Sequence, residues 1–181
     1  MPNRSSQSST DLILRIKSGN PEALGEAYSR YADALMALAY RLTGSAQDAE
    51  DILHDVFLGL PEALRNYEER GSVEHWLKRV TARVAFSKLR AAKTRRETAN
   101  DFSTVAASNT ANAIDDDWLV KQAIASLSPA LRAVFVLKEV EGYSHAEIAS
   151  LLGITPGNSE VRLHRAVKEL RQRLSPTRPR E

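Results

Sequence analysis

The chain has 181 residues, enough for one ordinary domain or two small ones, and its 43% hydrophobic and 27% charged residues are typical of a globular protein. It contains no cysteine, which excludes disulfides, thiolate metal sites and cysteine nucleophiles. No apolar run approaches the roughly 20 residues that a membrane span requires, and residues 1–10 lack the apolar core of a signal peptide. The sequence therefore predicts a cytoplasmic protein without membrane insertion.

The net charge of +2 conceals three blocks of segregated charge. Residues 48–69 contain seven acids and one base, residues 78–96 contain eight bases and no acid, and residues 162–180 contain seven bases and one acid. A single basic block is most often a solvated helix surface, but basic blocks on helices also bind nucleic-acid phosphates. The two basic blocks together favour a nucleic-acid-binding protein.

The first 96 residues are predicted to be helical, because apolar side chains recur there every three or four residues in three stripes. The first stripe follows the start signal Asn20-Pro21, Pro61 is expected to kink or restart the second helix, and Ser72 is placed to cap the third. The stripes are Leu24, Tyr28, Tyr31, Leu35, Leu38 and Leu42; then Ala49, Ile52, Leu53, Val56, Phe57 and Leu60; then Trp76, Leu77, Val80, Val84 and Leu89.

A change of composition divides the chain into two domains. Residues 97–114 are rich in Thr, Ala, Asn and Ser and offer little apolar surface to bury, which favours a flexible linker. The sequence thus predicts an all-α protein with two small helical domains, at residues 10–96 and 115–175. Residues 1–9 are predicted to be a disordered N-terminus, residues 66–71 a loop and residues 176–181 a tail.

Residues 144–174 have the pattern of a helix-turn-helix. Ser144 and Glu147 have the spacing of a capping box that opens a short helix, and Gly153 is placed to end it with a positive backbone angle. Thr155-Pro156 is a start signal for a longer, basic helix. This layout predicts a second helix that enters the major groove of DNA, with an ordinary basic helical hairpin as the alternative.

The helical period assigns a face to each residue of this second helix. Its apolar face is predicted to be Leu163, Ala166, Val167, Leu170 and Leu174. The outward residues are then Asn158, Val161, Arg165 and Lys168, with Arg162 and His164 on the flanks. Arg165 is expected to pair with a guanine and Lys168 to meet a phosphate.

The sequence predicts neither a metal site nor a catalytic site. His54 has helical spacing to Glu50 and Asp51 that suits a metal, but a bundle site needs several such pairs on facing helices, and the chain has four histidines. No glycine-rich phosphate loop or nucleophile elbow accompanies the clustered carboxylates. They are better explained as a docking surface for a basic partner, and no cofactor is expected.

Several segments stand in the order and spacing of the extracytoplasmic-function sigma factors of bacterial RNA polymerase, which the chain resembles over nearly its whole length outside the tails and linker. Residues 48–57 (DAEDILHDVF) resemble the family's polymerase-binding helix, residues 71–77 (GSVEHWL) its promoter-melting segment, and residues 78–90 its −10 reader. Residues 142–149 (GYSHAEIA), 153–155 (GIT) and 162–166 (RLHRA) together resemble its −35 reader. The chain departs from the usual pattern at Val84, Ser87, Ser159 and Glu160.

The resemblance implies a non-enzymatic subunit that binds core RNA polymerase and brings it to promoter DNA. The first domain would be sigma region 2, with an extruded base held near residues 66–71, and the second would be sigma region 4. The linker would thread toward the RNA exit path, and an anti-sigma factor is a further partner that the resemblance allows. The implied polymerase-binding residues are Asp48, Glu50, Asp51, Leu53, Asp55 and Phe57. The implied −10 contacts are Asn66, Tyr67, Ser72, His75, Trp76, Lys78, Arg79, Arg83, Lys88 and Arg90, and the implied −35 contacts are Thr155, Asn158, Val161, Arg162, His164, Arg165 and Lys168.

Two other functions remain open on the sequence alone. A two-domain helix-turn-helix regulator that acts without being a polymerase subunit would explain the C-terminal half equally well. It would leave the acidic helix and the basic helix after Trp76 unexplained. A helical-bundle metalloenzyme is the weaker alternative, because a single histidine with acidic neighbours does not make a bundle metal site.

Overall fold

The computed structural model describes residues 4–65, 67, 72–99 and 116–174, and all regular elements of this described chain are helical. The all-α prediction is therefore confirmed. The chain divides into one compact unit of residues 1–40 and 46–87 and another of residues 41–45 and 88–181. Of the predicted linker, residues 97–99 are helical, and the remainder, the tail at 176–181 and the loop at 66–71, apart from Tyr67, lie outside the described residues.

The first unit is built from α1 (Arg4–Lys17), α3 (Ala46–Arg65), the first part of α4 (Val73–Ala99) and all of α2 (Pro21–Thr43) except its last three residues, which belong to the second unit. Helix α1 packs on α3 through a buried stripe of Leu12, Ile13 and Ile16. The helix begins at Arg4, inside the stretch for which the sequence favours disorder. Tertiary packing of an apolar stripe supplies most of the stability of a short helix, so the stripe near its C-terminal end explains why α1 forms.

The predicted stripe of α2 is buried at Tyr31, Leu35, Leu38 and Leu42 but not at Tyr28. Asn20 accepts a hydrogen bond from the backbone N–H of Ala23 at 2.9 Å, which places the helix start as predicted. Ala23 and Ala27 are buried, whereas Tyr28 is 49% exposed and its ring packs against Phe57 with centroids 4.9 Å apart. The prediction for Tyr28 was wrong, because the buried positions in this part of α2 are those of Ala23 and Ala27.

Helix α3 runs without interruption through Pro61, so the helix does not restart there. Leu60 and Leu64, on either side of the proline, are buried at 2% and 1% exposure. A proline removes one backbone hydrogen bond from a helix. Burial of apolar side chains on both sides of Pro61 outweighs that loss and keeps the two halves in one helix.

The second unit contains α5 (Asp116–Ala125), α6 (Pro129–Phe135), a π-helical turn (Val136–Val140), α7 (His145–Leu152) and α8 (Pro156–Leu174). Its core is a cluster of Ala123, Leu127, Leu131, Ala166 and Leu170, on which Ile124 and Phe135 pack. Helix α8 therefore rests on α5 and α6 with one face and leaves the opposite face to solvent.

A buried arginine, Arg132 of α6, joins three backbone carbonyls within the second unit. Its guanidinium donates to the carbonyl oxygens of Leu42 at 3.1 Å, Thr43 at 2.7 Å and Ala125 at 2.8 Å. These carbonyls lie at the C-terminal ends of helices, where a cation is favoured. Burial lowers the pKa of the Arg132 guanidinium from its ordinary value, and the hydrogen bonds satisfy the buried donors. Gly44, with φ of +74°, is the residue that fits beside it, since a Cβ there would lie 2.7 Å from Nη1 of Arg132.

Candidate nucleic-acid and protein-binding surfaces

The helix-turn-helix predicted from the sequence is present in the second unit. The Oγ of Ser144 accepts from the backbone N–H of Glu147 at 3.2 Å, and the Glu147 carboxylate accepts from the Ser144 backbone N–H at 2.9 Å. Gly153 ends α7 in the left-handed region, with φ of 64° and ψ of 43°. Thr155 then caps α8, its Oγ1 accepting from the backbone N–H of Asn158 at 3.2 Å. The capping box, the glycine turn and the second cap are all confirmed.

Helix α8 presents the outward row that the helical period predicts. Ala166 and Leu170 are buried at 0% and 7% exposure, and the side chains opposite them are exposed. Leu174 was predicted on the buried face but is 43% exposed, because α8 extends past the core. The exposed residues are Thr155, Asn158, Val161, His164, Arg165 and Lys168, while Arg162 is partly buried.

The outward row of α8 combines polar, apolar and cationic side chains over a length comparable to a few base pairs of the DNA major groove. Asn158 offers an amide, Val161 two methyl groups, Arg165 a guanidinium and Lys168 an ammonium group. At 1.5 Å per residue, Asn158 and Lys168 lie roughly 15 Å apart along the axis. That length matches about four base pairs, and these groups are the types that recognise base edges and phosphates in the major groove.

A cavity of about 260 Å³ in the first unit joins the end of α3 to the start of α4. The rings of Tyr67 and Trp76 meet edge to face in its wall, with centroids 4.9 Å apart. The backbone N–H of Tyr67 donates to the Leu64 carbonyl at 3.0 Å, and Lys17 of α1 donates to the Tyr67 carbonyl at 3.4 Å. The lining residues are Tyr67, Ser72, His75, Trp76, Arg79, Val80 and Arg83. Aromatic rings beside two guanidinium groups can hold an unstacked base together with its phosphate.

This cavity contains six of the ten residues that the resemblance implied for −10 DNA, together with Val80, which was not among them. Lys78 instead pairs with Glu74 at 3.3 Å, one turn before it on α4. Lys88 and Arg90 belong to the second unit and do not line the cavity. Asn66 lies outside the described residues. Residue spacing along α4 could not distinguish the implied residues that line the cavity from those that do not, because the cavity depends on the position of Tyr67.

Helix α3 presents an acidic surface to solvent. Asp48, Glu50, Asp51 and Asp55 are exposed as predicted. Leu53 and Phe57 are buried at 3% and 6% exposure, so they belong to the core and not to the binding surface that the resemblance implied. Leu58, which was not predicted as a surface residue, is 67% exposed beside the carboxylates. The acidic surface is therefore Asp48, Glu50, Asp51 and Asp55, with Leu58 one turn past its C-terminal end.

Neither a metal centre nor a membrane span is found in the part of the chain that the structure describes. Within residues 4–65, 67, 72–99 and 116–174, no three His, Asp or Glu side chains come together in an arrangement that could hold a metal ion. No helix in the same ranges is both long enough and apolar enough to cross a membrane.

Comparison with known proteins identifies both halves of the chain. Residues 27–95 match the family model of sigma-70 region 2, and residues 118–170 match that of sigma-70 region 4. The chain is 34% identical to the ECF RNA polymerase sigma factor SigL of Mycobacterium tuberculosis over 80% of its own length and 84% of that protein. It is also 34% identical to SigE of Mycolicibacterium smegmatis over 83% of its own length, and spans 61% of SigE.

The fold is also similar to that of a solved sigma factor. The sigma factor RpoE of Bartonella quintana, solved in complex with the anti-sigma factor NepR, superposes with a TM-score of 0.63 at 22% sequence identity. The superposition covers 85% of this chain and 98% of the RpoE chain. The two sigma-70 region models together match more than half of the 181 residues, and the SigL likeness extends over most of both proteins. The chain therefore belongs to the extracytoplasmic-function sigma factors.

Proposed function

We propose that this sigma factor directs promoter-specific transcription initiation by RNA polymerase and divides the task among three surfaces. The acidic surface of α3 binds core polymerase, the cavity beside Trp76 holds an unpaired base of the −10 element, and the outward face of α8 reads the −35 element. The observation that carries this proposal is the presence, in one chain, of a sigma-70 region 2 match and a sigma-70 region 4 match. A helix-turn-helix regulator without a polymerase-binding role does not account for the first of these matches.

The assignment of α3 rests on its exposed charge. Four carboxylates lie within eight residues, from Asp48 to Asp55, and no lysine or arginine separates them. A surface of one sign steers association with a partner of opposite sign and excludes partners of like sign. Leu58, exposed one turn after Asp55, adds an apolar contact of the kind found in protein interfaces. The partner we propose is therefore a basic surface of core polymerase with an apolar recess.

The assignment of the cavity rests on its walls. Removing a base from the stack costs a few kcal/mol, which stacking on aromatic rings and contact with arginines can offset. Tyr67 and Trp76 supply the rings, and Arg79 and Arg83 supply the cations. We place the extruded base in this cavity, so that the loop at residues 66–71 contributes through Tyr67.

The remaining features of the proposal follow from the family. Residues 10–96 act as sigma region 2, residues 115–175 as sigma region 4, and residues 97–114 as the linker between them. The chemistry of RNA synthesis belongs to the polymerase, so the chain is not itself an enzyme, and it acts in the cytoplasm where polymerase and promoter meet. The complex of RpoE with NepR supports an anti-sigma factor as a further partner.

The polymerase assignment is tested by charge reversal on the full-length chain. We expect Asp51→Lys to weaken binding to core polymerase and the double variant Asp51→Lys, Asp55→Lys to abolish co-elution of the two proteins. Asp33→Lys, at an exposed acid on α2, is the matched control and should bind as the parent does. Circular dichroism should show equal helicity for all three variants. Equal affinity of the double variant and the control for core polymerase would overturn the assignment of α3.

A further inference from the structure

The first turn of α8 contains a buried polar side chain whose partner lies on α7. Ser159 is 0% exposed, although its neighbours Asn158 and Glu160 face solvent. Its Oγ lies 2.9 Å from Nδ1 of His145, the first residue of α7. A buried hydroxyl without a hydrogen-bond partner lowers the stability of the folded state. This contact therefore favours the arrangement of the two helices in which the hydrogen bond forms.

Both ends of the contact are held by helix caps. His145 follows Ser144, whose capping box with Glu147 fixes the start of α7. Ser159 lies in the turn capped by Thr155 and donates its own backbone N–H to the Thr155 carbonyl at 3.1 Å. The hydrogen bond therefore joins two anchored turns, one from each helix of the helix-turn-helix.

The type of contact matters for the orientation of α8. The other buried side chains of α8, Ala166 and Leu170, make apolar contacts, which are non-directional and permit small rotations or slides. A hydrogen bond requires a set distance and angle. In sequence, Ser159 lies between Asn158 and Val161, two residues of the outward row. A rotation of α8 about its axis would move both of these side chains, and the hydrogen bond of Ser159 opposes such a rotation.

We propose that His145 and Ser159 are a positioning pair, which holds the first turn of α8 against α7 and so sets how well Asn158 and Val161 align with base edges. The proposal rests on the proposed role of α8 as the −35 reader and adds two residues that touch no base. An apolar residue at position 159 would fill the same space without the directional contact. Discrimination between DNA sequences, more than overall affinity, is the property that the pair controls.

The test uses holoenzyme assembled from core polymerase and the full-length chain. Its probes are a −35 duplex selected by the parent holoenzyme from a randomised pool, and the unselected pool itself. The dissociation constant for the pool, divided by that for the selected duplex, measures discrimination. Ser159→Ala removes the hydroxyl, His145→Gln places an amide near the position of Nε2, and His145→Asn places one near the position of Nδ1. We expect the first two variants to lower the ratio about fivefold, as loss of a directed hydrogen bond would, and His145→Asn to retain it.

The outcomes separate a positioning role from a structural one. If Ser159→Ala and His145→Gln lower the midpoint of thermal unfolding but leave the ratio unchanged, the pair only stabilises the fold and the proposal is wrong. If His145→Asn loses discrimination as fully as His145→Gln, the hydrogen bond at Nδ1 is not the cause. The two His145 variants keep the test valid even if Ser159→Ala does not fold. A parent holoenzyme that shows no sequence preference at the −35 position would instead contradict the proposed role of α8.

Discussion

Val161 allows the orientation of α8 on DNA to be tested at the level of a single methyl group. The residue is 51% exposed within the outward row, so its side chain is accessible to a base edge. An apolar side chain in the major groove recognises the C5 methyl group of thymine. Replacing thymine with deoxyuridine removes that methyl group and leaves base pairing unchanged.

The size of the effect follows from the area that such a contact buries. Burying one methyl-sized group contributes about 0.8 kcal/mol, which corresponds to roughly a fourfold change in affinity. Deoxyuridine at the contacted position should therefore weaken binding of the parent holoenzyme about fourfold, and should weaken binding of Val161→Ala much less. Val161 and Arg165 are about 6 Å apart along the helix axis, so the contacted thymine should lie within about two base pairs of the guanine bound by Arg165.

The assay measures dissociation constants for a selected −35 duplex in which each thymine is replaced in turn. Val140→Ala is the matched control, because Val140 is 45% exposed and lies outside α8. The control should reproduce the parent's profile of deoxyuridine effects, whereas Val161→Ala should lose the effect at one position. If Val161→Ala keeps the whole profile, or if the parent's profile is flat, the outward face of α8 does not meet the bases as we describe.

Three further predictions concern the basic residues of α8, the turn before α8 and the cavity beside Trp76. Arg165→Ala should weaken binding to the preferred duplex far more than to unrelated DNA, whereas Lys168→Ala should weaken all sequences alike and reduce the log–log salt slope by about one unit, as salt titrations of both variants will show. Gly153→Ala should lower the free energy of unfolding by about 1–2 kcal/mol because φ is +64° there, while Gly157→Ala, whose added Cβ meets nothing within 4 Å, should not, and urea unfolding of the two variants checks this. Trp76→Ala should slow formation of the open complex, as measured by permanganate footprinting, without changing the affinity for an isolated −35 duplex. An equal loss in both assays would contradict the role of the cavity.

The features that could be predicted from the sequence are those with local signals. The capping box joins Ser144 to Glu147, three residues away, and the start signal of α8 is the adjacent pair Thr155 and Pro156. Both caps form as expected. The outward row of α8 follows from helical periodicity alone. The resemblance added Leu53 to the binding surface as part of a motif, although the same periodicity places it in the core.

The features that were missed depend on contacts between distant residues. Ser159 and His145 are 14 residues apart, and their hydrogen bond exists because two helices cross there. The cavity beside Trp76 forms where Tyr67, after the end of α3, meets the start of α4. Tyr28 was misplaced because the stripe was drawn through large side chains, whereas the buried residues near the start of α2 are the small Ala23 and Ala27.

The most direct test of the central claim is transcription from a genomic fragment library with core polymerase, in the presence and absence of the full-length chain. We predict that the chain produces a defined set of run-off transcripts that core polymerase alone does not make, each preceded by a shared pair of −35 and −10 elements. The double variant Asp51→Lys, Asp55→Lys should produce none of them. If the chain binds DNA specifically yet yields no such transcripts with core polymerase, it is a regulator that acts without being a polymerase subunit, and the proposed role in transcription initiation is wrong.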